Sequence, residues 1–170
     1  MTDIYATSID YKKDAKLTRQ FFATVQNKMH VAAHGKTAAE LVYERADAKK
    51  PNMGLTNFKG DYITSDDVEV AKNYLSEEEL NVLNLIVSQY LDFAELQATR
   101  QRAMTMQQWI DKLDEFLKIS DSSVLVGAGK IKHEQAMTKA KREFKKYRDE
   151  EMRRLESDFD KATKVLGKGS

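Results

Sequence analysis

The stretch Ala71–Arg102, AKNYLSEEELNVLNLIVSQYLDFAELQATRQR, limits what this chain can fold into more than any other. Leu80, Leu83, Val87, Tyr90, Leu91 and Ala94 recur at three- and four-residue steps, the spacing of one face of an α-helix. Val82, Leu85, Ile86, Phe93 and Leu96 widen that stripe to more than half the circumference. A helix so apolar is expected to be central and covered on more than one side. Ser76 followed by Glu79 reads as a capping box, in which each residue satisfies an N–H of the other. A hub helix is therefore expected over about 76–102.

The rest of the chain supplies helices to pack on it. Asp14 or Thr18 starts a helix with Leu17, Phe21, Val25, Met29 and Ala32 on one face, and Gly35 is a natural residue to follow its end. Thr37 with Glu40 forms a second capping box, opening a short helix to about Ala46. Thr105 with Gln108 forms a third, ahead of a helix carrying Trp109, Leu113, Phe116 and Leu117. A further short helix is expected over 65–75, and a final one over about 132–166. The opening DIYATSIDY alternates apolar and polar residues and reads as an extended arm, and GKGS as a frayed end. Residues 49–67, KKPNMGLTNFKGDYITSDD, are the only long non-periodic passage and hold the sole Pro. An ordered loop is expected over 49–64, held down by its own apolar residues. The expected fold is all-α: a helical bundle around the central helix, with 1–130 as its core domain and 131–170 as a long amphipathic C-terminal helix.

Composition narrows the function classes. A hydrophobic fraction of 41% with 32% charged residues suits a folded domain. No Cys is present, which removes disulfides, thiolate catalysis and Cys-based zinc sites. No apolar run approaches the roughly 20 residues of a membrane span, and the N-terminus lacks the layout of a signal peptide. The expected location is cytoplasmic, with no membrane partner and no cofactor. The net charge of +1 hides an asymmetry: residues 130–170 hold 13 Lys/Arg against 8 Asp/Glu. A solvated helix of mixed charge is the plain reading of that bias.

Candidate site residues concentrate between His30 and Lys59. His30 and His34 stand four apart on one helix face, where two imidazoles can share a metal; Val31 breaks the HExxH signature, and no metal site is assigned. Glu40 and Glu44 could supply carboxylates if the turn at Gly35 folds them back. HVAAHGKTAAEL faintly resembles the Fic/Doc motif, because the turn at Gly35, Lys36 and Thr37 feeds a helix N-terminus that offers N–H groups to an anion. It lacks the acidic residue and the Asn-Gly-Arg portion of that motif. Glu44, Arg45, Asp47, Asn52, Asn57 and Lys59 lie on or beside the long loop, where binding groups tend to sit. GAGK at 127–130 departs from the P-loop pattern and reads as a linker with a turn.

Several longer blocks point to one family. DIYATSIDY, FFATVQNKMH, HGKTAAELVYERADAKKPNMGLTNFKG, AKNYLSEEELNVLN, MTMQQWIDKLDEFL and GAGKI resemble, in order and spacing, the C-terminal half of the bacterial RhuM-type virulence proteins over roughly residues 3–150. The resemblance implies a protein of a mobile element or pathogenicity island, with no assigned reaction. It also implies that DNA would be met only through an N-terminal domain absent from this chain, which would make the chain a C-terminal fragment or a stand-alone version.

Two functions remain open on these grounds. One is a non-enzymatic oligomerisation and interaction module. The other is a degenerate Fic/Doc-like nucleotidyl-transferase or metal-dependent hydrolase using the His30–Arg45 segment. The missing catalytic constellation and the long terminal stripe favour the first. A helix over 132–166 extends about 50 Å at 1.5 Å per residue. Its first half, through Phe144 and Tyr147, is expected to return to the hub. Its second half would show Met152, Leu155, Phe159, Ala162 and Leu166 to water, and such stripes mark association sites. A homodimer through this helix is the expected assembly.

Overall fold

The structure, a computed structural model, describes residues 8–11 and 16–167. Among them are five α-helices, three short 3-10 turns and no strand. The helices are α1 (Lys16–His34), α2 (Ala38–Arg45), α3 (Glu77–Thr99), α4 (Met106–Ile119) and α5 (His133–Gly167); the turns are Pro51–Gly54, Asp67–Glu69 and Ala71–Tyr74. The fold is all-α. No helix of the described residues is long and apolar enough to cross a membrane.

Two compact units divide the chain. The first holds residues 1–41 and 75–130, the second 42–74 and 131–170. In the first, α3 is the hub, packed by α1 and α4. Its start is set by the expected capping box: Ser76 Oγ accepts from the Glu79 N–H at 3.2 Å, and Glu79 Oε1 accepts from the Ser76 N–H at 2.9 Å. Leu83, Ile86, Tyr90 and Ala94 are buried on it; Phe21, Val25 and Met29 are buried on α1, and Trp109, Leu113 and Leu117 on α4. The Tyr90 hydroxyl donates to the Trp109 carbonyl at 2.6 Å while the two rings meet edge to face, their centroids 6.3 Å apart. That arrangement buries a large aromatic without orphaning its polar end. Lys28 is anchored at 2.8 Å to Asp114 and at 2.7 Å to the Leu125 carbonyl, so it holds the 120–130 linker as well as α4.

The hub departs from expectation in one respect. It buries a single stripe, and Val82, Leu85 and Leu96 stay exposed, Leu85 by 53%. The apolar width read from the sequence is real, but within the unit only two helices meet it.

In the second unit the first half of α5 packs on the Pro51–Gly54 and Asp67–Glu69 turns. Its buried line is Ala136, Ala140 and Glu143, while Phe144 and Tyr147, the residues expected to pack, are half-buried. Small side chains at 136 and 140 let the turns approach closely. Glu143 accepts from the Ala48 N–H at 3.1 Å, Lys141 pairs with Glu69 at 2.9 Å, and Lys139 donates to the Tyr43 carbonyl. Met53 is fully buried, carried there by a left-handed turn in which Asn52, Met53 and Gly54 have φ of 51°, 60° and 88°.

The short helix expected over 65–75 is instead two 3-10 turns. Val70 between them is extended, with φ −96° and ψ 112°, and Asp67 turns its carboxylate back to the N–H and hydroxyl of Thr64. Side chains that bond their neighbours' backbone compete with helix formation. Of the extended arm, residues 3–7 lie outside the described residues. Ser8–Tyr11 form a turn closed by the Tyr11 N–H on the Ser8 carbonyl. Asp14, one of the two expected starts of α1, and residues 168–170 of the frayed end are also outside.

Candidate functional site

The polar residues singled out between His30 and Lys59 are mostly spent on holding the fold. Three donors at the start of α2, an eight-residue helix, are taken by side chains of the protein. The Thr37 N–H donates to Glu40 Oε2 at 2.9 Å, the Ala38 N–H to Asn27 Oδ1 at 3.2 Å, and the Glu40 N–H to Thr37 Oγ1 at 3.3 Å. An anion here would have to displace those partners. The second Glu40 oxygen accepts from the Lys130 N–H at 2.6 Å. The Thr37 N–H above all holds the Glu40 carboxyl below its ordinary range, with Lys130 helping against the cost of burial. As a cap with both oxygens occupied, Glu40 is poorly placed to move protons.

His30 is buried, and its Nδ1 lies 2.8 Å from His34 Nε2. One ring donates to the other. Among the described residues no group of three His, Asp or Glu side chains is placed to hold a metal ion. Arg45 Nη1 donates to the Tyr74 carbonyl at 2.8 Å, closing the 42–74 segment on itself. Asp47 Oδ1 accepts from the Lys49 N–H at 3.0 Å. Glu44, Asn52, Asn57 and Lys59 are exposed and Lys36 is half-exposed. The structure brings His30 to His34 and Thr37 to Glu40.

Sequence reasoning missed three residues that organise this region. Asn27 caps α2 from the middle of α1, Gly129 gives the close approach that lets the linker reach Glu40, and Glu143 binds the loop at Ala48. None has a sequence signal at short range, since each partner lies 11 to 95 residues away.

The surface that stands out is on α5. From Met152 to Gly167 every residue is exposed. Met152, Leu155, Phe159, Ala162 and Leu166 follow one another at alternating three- and four-residue steps, the spacing of a coiled-coil seam. Phe159 is 70% and Leu155 60% exposed. At about 100° per residue this stripe lies roughly 100° around the helix from Ala136, Ala140 and Glu143, so it does not continue the face that packs on the turns. Followed toward the N-terminus, the same face carries Arg148, Lys145 and Lys141.

The model of the virulence protein RhuM family matches residues 1–156. The chain belongs to that family. Comparison with curated proteins and comparison with solved structures each give no match. The description of the RhuM family names virulence and no reaction, so the chemistry of this member has to be argued from its geometry.

Proposed function

We propose that this RhuM chain is a non-enzymatic interaction module that self-associates as a homodimer through the outer half of α5. In this reading it serves a DNA-binding-type protein of a bacterial mobile element or pathogenicity island, with the DNA contacts made by another region. One observation carries the reading: a seam-spaced apolar stripe, Met152 to Leu166, lies wholly exposed on the outer half of a 35-residue helix. Burying its large side chains contributes roughly 5–10 kcal/mol before the cost of association, at about 1.5–3 kcal/mol each. The engagement of Glu40, Thr37, Arg45 and the His30–His34 pair in the fold supports it from the other side.

Light scattering on the intact chain and on a version ending near Arg148 tests the proposal. A dimeric mass that becomes monomeric on truncation is expected. A monomeric mass for the intact chain at high micromolar concentration would end it. Thermal melting with nucleotides and divalent metals tests the enzymatic reading: a stabilising shift abolished by His34→Ala and Arg45→Ala would move the function to the His30–Arg45 segment.

A further inference from the structure

The hub helix α3 has an outer face that its own unit leaves bare. Val82, Leu85 and Leu96 are exposed there, in line with Glu78, Gln89 and Asp92. The 23 residues of α3 include five carboxylates and no Lys, Arg or His. An apolar stripe set among acidic residues fits a helix that carries apolar and basic residues on one face. This chain owns such a helix. The exposed face of α5 runs Lys145, Arg148, Met152, Leu155, and Lys145 makes no ion pair among the described residues. Arg148 lies over the Phe144 ring, 5.9 Å from its centroid.

The two faces match in spacing. On α3, Val82 and Leu85 are followed seven residues later by Asp92; on α5, read in reverse, Leu155 and Met152 are followed seven residues later by Lys145. An antiparallel pairing sets Val82 on Leu155, Leu85 on Met152, Gln89 on Arg148 and Asp92 on Lys145, all in one register. Leu96 then meets the aliphatic stem of Lys141, which can cover apolar surface while its ammonium keeps its pairing with Glu69.

We infer that the outer face of α3 is the docking site for the Lys145–Leu155 stretch of α5 from a second copy of this chain. The inference rests on the self-association proposed above and names where the tail lands. The pairing of Asp92 with Lys145 selects the antiparallel register.

Sedimentation equilibrium on the intact chain and five variants tests it, with far-UV circular dichroism confirming the fold. Leu85→Asp alters an exposed side chain, so the core is untouched; it raises the dimer dissociation constant about tenfold or more. Asp92→Lys and Lys145→Glu each weaken the dimer severalfold, and the two together restore it. If Leu85→Asp and Asp92→Lys leave the constant unchanged while Leu155→Asp abolishes the dimer, the tail pairs with another tail and the docking site on α3 is overturned, with self-association intact. If the intact chain is monomeric, both are overturned.

Discussion

Gly129 faces Thr37 so closely that a Cβ on it would lie 2.6 Å from Thr37 Cγ2 and 2.9 Å from Glu40 Oε1. Thr37 is buried, and both of its neighbours in this contact are already fixed by the capping box. Gly129→Ala must therefore push the linker off Glu40 and break the 2.6 Å bond from the Lys130 N–H. Overpacking of this kind costs about 1–3 kcal/mol. A urea midpoint lowered with an unchanged slope would show it. A midpoint equal to that of the unaltered protein would mean that the linker yields freely.

Gly54 is constrained more tightly. Its φ is 88°, and a Cβ there would lie 2.2 Å from the Arg45 carbonyl oxygen, a backbone atom that cannot swing aside. Gly54→Ala is expected to cost about 3 kcal/mol or more, because steric overlap adds to left-handed strain. Fluorescence-monitored denaturation compared with Gly60→Ala separates the two effects. Gly60 shares a positive φ, 92°, but has open space around it. Equal losses at both positions would leave only the strain.

Much of the fold was legible because its signals are local. Ser76, Thr37 and Thr105 each cap a helix with the partner three residues on, and each box forms as the spacing predicts. Helix ends were less legible. Gln101 and Asp121 take left-handed backbone with φ of 53° and 54°, closing α3 and α4 without the glycine that usually announces such an end. The RhuM resemblance was carried by blocks that lie inside the matched residues 1–156. In the candidate site, the seam on α5 could be read from periodicity, whereas the engagement of Glu40 and Arg45 could not. Their partners, Lys130 and Tyr74, are 90 and 29 residues distant, and only tertiary packing brings them in.

Lys28 supplies a test of buried charge. Its side chain is 9% exposed and sits 2.8 Å from Asp114, which is 28% exposed. Lys28→Ala removes the cation, leaves Asp114 partly desolvated and frees the Leu125 carbonyl. The loss is expected to be about 2–3 kcal/mol, below that of a wholly buried pair because water still reaches Asp114. Equilibrium denaturation measures it. Lys28→Met, which keeps the volume, is expected to recover part of the loss; if it recovers all of it, the packing of the stem and not the ion pair is what matters.

Glu143 gives the second unit a dependence on pH. Burial works to raise its carboxyl, but the Ala48 N–H, Lys146 and Arg142 together outweigh that and hold it below the ordinary 4.5. A carboxyl depressed in the folded state stabilises the fold fully above its unfolded value, and that contribution is lost as pH falls through the folded value. Acidification below about pH 4.5 should therefore loosen the 42–74 segment from α5, with Glu40 and Asp67, both also depressed, adding to the slope. Glu143→Gln keeps an acceptor for the Ala48 N–H and removes the titration. Its melting temperature is expected to lie below that of the unaltered protein at neutral pH and to fall less steeply on acidification, so that the two curves converge. Parallel curves across that range would assign the acid sensitivity to Glu40 and Asp67 alone.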